Sequence, residues 1–151
     1  MKNASIIPFA AIVLLLSCQA ENKNSEISLI GSWRLVESKT IKGKDTTLAH
    51  TDTTKSEMIK MFNATDFAFF NHDKRKGADS SAFFVSGSGQ YSVVGERYQE
   101  KLNYCSFREW EGKTFDFKLV MEGDTLIQSG IEHIPELGIN QEIIERYVKV
   151  R

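Results

Sequence analysis

The feature that most limits what this chain can fold into is an alternation of side chains with a period of two, dominant from residue 28 onward. Tyr98, Glu100, Leu102 and Tyr104 fall on one face of a segment whose other face carries Gln99, Lys101 and Asn103. Phe115, Phe117, Leu119 and Met121 alternate in the same way with Asp116, Lys118 and Val120. Residues two apart share a face only in extended chain, so these segments read as half-buried strands. No stretch carries a convincing helical stripe, although Ile139 to Ile144 has room for one helical turn.

Turn chemistry divides the alternation into roughly eight strands. In Ser32–Ser38, Trp33, Leu35 and Glu37 are expected on one face, and Arg34 and Val36 on the other. Residues 40–56 are rich in Thr, Lys and Asp and read as a long mobile loop. Met58–Phe62 and Phe67–Phe70 flank an Asn63–Asp66 turn. A second polar loop, NHDKRKGADSS, precedes Ala82–Val85, and GSGQ is expected to break the chain before Tyr91–Val94. Gly95-Glu96 and Gly123-Asp124 have the form of hairpin turns. Thr125–Ile131, a HIPELG loop and a final strand, Ile143–Val150, complete the series. Sequential antiparallel strands pair with their neighbours, and eight can close into an up-and-down barrel without free edges. A two-sheet sandwich is the rival arrangement; the meander order favours the barrel.

Composition narrows the functions. The 151 residues suffice for one domain, and the net charge of -1 offers no basic excess for phosphates, which argues against nucleic acid as a partner. The three histidines, His50, His72 and His133, have no metal-ligand spacing with each other or with a cysteine. No Gly-x-Ser-x-Gly elbow occurs, and Cys105 has no adjacent histidine to activate it. No catalytic residue, metal or cofactor is expected.

The N-terminus sets the expected location. Lys2 is followed by the apolar run IIPFAAIVLLL, whose eleven residues are too few to cross a hydrocarbon core of about 30 Å. Its length suits the core of an export signal. The run ends in Leu15-Leu16-Ser17-Cys18, which resembles the lipobox of bacterial lipoproteins. That resemblance implies a signal peptide over 1–17, lipid attachment at Cys18, a polar tether over 18–27 and a folded domain over 28–151. It also implies a location in the cell envelope, on the periplasmic side or the cell surface, with the outer membrane favoured and the inner membrane left open. The lipid would be the sole contact with the membrane. Several acyl chains, at about 0.8 kcal/mol per buried methylene, make a stable anchor. A plain secretory signal with a chance cysteine is the alternative.

Gly31-Ser32-Trp33 at the entrance of the first strand resembles the Gly-x-Trp of the lipocalin and fatty-acid-binding superfamily. The resemblance implies that Trp33 plugs one end of the barrel beside Gly31, with Arg146 from the last strand packed over it. MIKMFNATDFAFFNHD and GSGQYSVVGERYQEKLNY are similar to the middle of small lipocalin-like domains of bacterial lipoproteins, through Gly87, Gly89, Tyr91, Gly95, Tyr98 and Glu100. One departure counts against a fatty acid. The superfamily clamps a carboxylate with Arg-x-Tyr, whereas Arg146 and Tyr147 are adjacent here and must face opposite ways.

The expected inward set is Phe67, Phe69, Tyr91, Tyr98, Glu100, Leu102, Tyr104, Phe115, Phe117, Leu119 and Met121. Of these, Phe69, Tyr91, Tyr98, Glu100, Tyr104, Phe117 and Met121 are the candidates for holding a small hydrophobic or amphipathic ligand. Glu100 is the sharpest, because a carboxylate among aromatic rings needs a partner: a tyrosine hydroxyl, Arg146, or the polar end of a ligand. The alternative is a barrel filled by its own side chains, with the loops at 40–56 and 71–81 recognising another envelope protein.

Overall fold

The computed structural model describes residues 27–150. The expected signal peptide, Cys18 and all of the tether before Ile27 lie outside the described residues. Nine strands form among the described residues: β1 (Gly31–Lys42), β2 (Asp45–His50), β3 (Ser56–Phe62), β4 (Asp66–Asp73), β5 (Phe84–Val94), β6 (Arg97–Cys105), β7 (Thr114–Glu122), β8 (Thr125–Ile134) and β9 (Ile139–Lys149). Each pairs antiparallel with its neighbour in the order β2-β1-β3-β4-β5-β6-β7-β8-β9, and β1 also pairs with β9. That last ladder closes β1 and β3 to β9 into an eight-stranded barrel, leaving β2 as an extra strand. The barrel expectation holds, and the sandwich does not form.

The two ends of the barrel differ. At one end the connections are tight: Gly95-Glu96, Gly123-Asp124, and a turn in which the Asn63 side-chain oxygen accepts the amides of Thr65 and Asp66 at 2.8 and 2.6 Å. At the other end lie the longer connections, 51–55, 74–83, 106–113 and 135–138, the last two built around 3₁₀ turns at Arg108–Trp110 and Pro135–Leu137. Loops at this end can shape a mouth, whereas the tight turns leave room only for a plug.

Three stretches differ from their sequence reading. Residues 40–56 are largely strand: β1 runs to Lys42, turns at Gly43, and returns as β2 with Thr40 opposite Thr47. β-Branched threonine suits a pleated surface even where both faces are wet. The GSGQ stretch lies inside β5 and does not interrupt it. The sheet tolerates glycine there because a Cβ at Gly89 would run into the carbonyl oxygen of Lys101 on β6. At the end of the chain, β8 continues to Ile134 and Ile139–Ile144 is strand, with no helical turn.

Two bulges reverse the inside–outside phase. On β1 the register with β9 slips between Leu35 and Glu37, so Val36 is the extra residue. Trp33 and Leu35 point inward, and Glu37 faces outward to meet Arg146. On β6 the slip lies opposite Ser88 and Gly89, where Asn103 is extra. Tyr98, Glu100 and Leu102 point inward, Tyr104 turns out, and Cys105 turns in.

Candidate functional site

The tight-turn half of the barrel is filled. Trp33, Phe62, Phe67, Tyr98, Phe117, Leu119, Leu126 and Tyr147 are all buried. The Trp33 indole N–H donates to the Leu29 carbonyl at 2.7 Å, which draws the segment before β1 across this end. Phe62 meets Tyr91 edge-on at 5.2 Å, and Phe117 stacks between Tyr98 and Phe115 at 6.2 and 6.1 Å. Gly31, at φ +125, lies where a Cβ would come within 3.1 Å of the Lys149 side chain, and the Lys149 ammonium sits 5.3 Å from the Trp33 ring.

Above this plug, charged and polar side chains cross the barrel interior. Lys60 enters from β3 because alternation puts it in phase with Met58 and Phe62. Its ammonium donates to Glu100 Oε2 at 2.6 Å and to Gln128 Oε1 at 3.0 Å, and lies 5.1 to 5.7 Å from the rings of Phe67, Tyr98 and Phe62. The side chains of Lys60 and Glu100 are only 5% and 12% exposed, so this is an interior ion pair. The Tyr98 hydroxyl also donates to Glu100 Oε2, at 2.7 Å. A matching unit stands on β9, where the Tyr147 hydroxyl donates to Glu145 Oε2 at 2.6 Å. Farther toward the mouth, Gln141 donates to Glu132 Oε2 at 2.7 Å.

Burial is the largest influence on the titration of Glu132, Glu145, Tyr98 and Tyr147. It holds the carboxyls of Glu132 and Glu145 above the ordinary glutamate range. Their hydrogen bonds and Lys60 pull the other way, while Glu100 adds repulsion at both. Burial and the adjacent carboxylates hold the phenol protons of Tyr98 and Tyr147 well above their ordinary range, so both hydroxyls remain donors.

Over the belt opens a cavity of about 190 Å³. Its polar floor is Lys60, Glu100, Gln128, Glu145 and Tyr147, with Glu132 on the wall. Met58, Phe69, Leu102, Phe115 and Ile143 supply apolar surface, and Phe107 and Trp110 of the β6–β7 connection stand at the rim. Trp110 is braced against Phe115 at 5.7 Å. A cavity of about 150 Å³ holds one benzene, so this one suits a ring-sized molecule with a short substituent, not an extended acyl chain.

Of the residues expected from sequence, Phe69 and Glu100 line the cavity. Tyr98 reaches the belt with its hydroxyl, and Phe117 belongs to the plug. Tyr91 lies toward the plugged end, where its hydroxyl donates to the Asn63 carbonyl at 2.7 Å. Tyr104 is 68% exposed, because the Asn103 bulge turns it outward. Met121 is exposed near the end of β7, beside Trp33 and Lys149 on the plugged end's outer surface. Arg146 faces outward to Glu37 and Glu122, and Lys149 takes the place expected for it over Trp33. Arg146 is therefore not the partner of Glu100; Lys60 is. The signal for Lys60 was a cation on the apolar phase of SEMIKMF, and the signal for Glu145 was its spacing of two from the inward Tyr147.

No protein-family model and no curated protein matches the sequence. Two solved structures match it. A lipocalin-like protein from Bacteroides uniformis is 17% identical, with a TM-score of 0.50 over 81% of this chain and 98% of that one. An uncharacterized protein from Bacteroides eggerthii is 14% identical, with a TM-score of 0.47 over 82% of this chain and all of that one (100%). At such identity the first likeness speaks to architecture alone, and it agrees with the closed meander described above: the chain has a lipocalin-like barrel fold.

Proposed function

We propose that this barrel binds a small amphipathic molecule in the bacterial cell envelope, held at the membrane by lipid on Cys18. The observation that carries the reading is the cavity: apolar walls from Phe69, Leu102, Phe115 and Ile143 over a floor of charged and hydrogen-bonding groups. Such a combination buries an apolar body while a few polar groups fix its orientation. The lipobox-like Leu15–Cys18 supports the location. In this reading the protein is a carrier or receptor rather than an enzyme.

Native mass spectrometry of the protein as purified, followed by titration with a hydrophobic fluorophore, tests the binding. Bound mass, or uptake that Phe115→Trp reduces by narrowing the cavity, is the expected result. Absence of both bound mass and uptake would defeat the reading. For the anchor, Cys18→Ser is expected to move the protein from the membrane fraction to the soluble fraction. An unchanged membrane fraction would refute lipid attachment at that residue.

A further inference from the structure

The charges inside the barrel do not balance. Lys60 is the cation on the cavity lining, and its ammonium already serves Glu100 and Gln128. Three carboxylates, Glu100, Glu132 and Glu145, line the same cavity. Each accepts a hydrogen bond through Oε2, and no hydrogen bond among the described residues engages Oε1 of any of them. The three also feel one another, since Glu100 and Glu145 raise the Glu132 carboxyl and Glu100 raises that of Glu145.

Gln128 offers the cavity an independent hydrogen-bond donor. Its residue is only 2% exposed. The Lys60 ammonium can only donate, so the Gln128 oxygen must face Lys60 and the amide nitrogen must face away. Among the described residues that nitrogen makes no hydrogen bond, and the side chain lines the cavity. An amide donor at the cavity wall with no partner in the protein is open to a ligand oxygen.

Building on the amphipathic-ligand reading, we infer that the cavity selects a small protonated amine: a ring-sized apolar body bearing an ammonium group and a nearby oxygen acceptor. The ammonium supplies donors to the free carboxylate oxygens of Glu100, Glu132 and Glu145, and its charge offsets theirs. The oxygen accepts from Gln128. A carboxylate ligand would meet three glutamate side chains and one lysine that is already engaged, an arrangement that disfavours anions.

Three probes with one body test the charge: phenoxyethylamine, phenoxyethanol and phenoxyacetate, titrated calorimetrically against the full-length protein in detergent. The amine is expected to bind at least about tenfold tighter than the alcohol, and the acid more weakly than the alcohol. Glu132→Gln and Glu145→Gln are each expected to cut the amine-to-alcohol ratio about tenfold, and acidification to shrink it as Glu132 and Glu145 take protons. Equal binding of amine and alcohol, a preference for the acid, or a ratio unmoved by both substitutions overturns the amine assignment. Should the alcohol still bind in those cases, the amphipathic-ligand reading survives. If no probe binds and the hydrophobic fluorophore is not taken up, both fall.

Discussion

Replacing Lys60 with methionine isolates what the interior ion pair does for the fold. Methionine keeps the unbranched length but removes the charge, the bonds to Glu100 and Gln128, and the ammonium held 5.1 to 5.7 Å from three rings. Glu100, 12% exposed, is then left inside the barrel with only the Tyr98 hydroxyl to satisfy it. Removing one partner of such a pair costs about 3–5 kcal/mol. Escape by protonation sets a ceiling, because neutralising an ordinary glutamic acid at pH 7 costs about 4 kcal/mol. A loss of about 3–4 kcal/mol follows, a large share of the roughly 5–15 kcal/mol that holds a domain together. At about 4 °C per kcal/mol, the melting temperature falls by roughly 12–16 °C. Urea unfolding followed by tryptophan fluorescence gives the free energy directly, since Trp33 is buried in the plug. The decisive comparison is Lys60→Met with Glu100→Gln. Removing both charges leaves an amide that Tyr98 still bonds, so the double variant is expected within about 1 kcal/mol of the parent. A single variant that loses less than about 1 kcal/mol, or a double variant no more stable than the single, would refute the argument.

Other expectations follow from the same geometry. Glu132 and Glu145 have raised native carboxyls, so between the ordinary glutamate range and the raised one the folded protein binds more protons than the unfolded chain. Stability from these groups therefore falls as pH rises through that window, and the penalty is complete above it. Glu132→Gln and Glu145→Gln are expected to melt higher than the parent at pH 7.5, with the difference fading toward about pH 4 in thermal scans. Gly89→Ala should cost about 3 kcal/mol in urea unfolding, because the new methyl meets the Lys101 carbonyl at the β6 bulge. Arg146→Ala, which removes only partly exposed pairs with Glu37 and Glu122, is expected to cost under about 1 kcal/mol by the same assay. A larger loss would restore a structural role for that arginine.

Alternation exposed the barrel well and the site only in part. Hydrophobic phase is a local property, and it placed Phe67, Phe69, Tyr98, Glu100, Leu102, Phe115, Phe117 and Leu119 inward correctly. It failed wherever one residue too many entered a strand. Bulges at Val36 and Asn103 reverse the phase beyond them, which is why Glu37 and Tyr104 face out and Cys105 faces in. The Asn103 bulge packs against Gly89 of the neighbouring strand, out of reach of a reading taken one segment at a time. Likewise, Lys60 and Glu100 are forty residues apart, and only barrel closure shows that each is the other's counter-charge. The Thr-rich β2 carries no buried face, since all six of its residues are exposed, so no period marked it as a strand.

The barrel is built as two unlike halves, and the contrast bears on function. Stability alone would be served by continuing the aromatic plug toward the mouth, because apolar packing usually matches or exceeds a buried ion pair of similar volume. Instead, β3, β6, β8 and β9 each place a charged or amide side chain at the level where the plug stops, through Lys60, Glu100, Gln128 and Glu145. Two of these strands repeat one device, a tyrosine two residues from a glutamate and donating to it, as Tyr98 to Glu100 and Tyr147 to Glu145. That arrangement fixes one oxygen of each carboxylate and leaves the other without a hydrogen bond among the described residues. Polar groups held so firmly, yet only half engaged, are pre-organised for a visitor: little side-chain freedom remains to be lost when a ligand arrives. A filled scaffold needs no such unsatisfied floor, and this is the strongest ground for treating the upper barrel as a binding site.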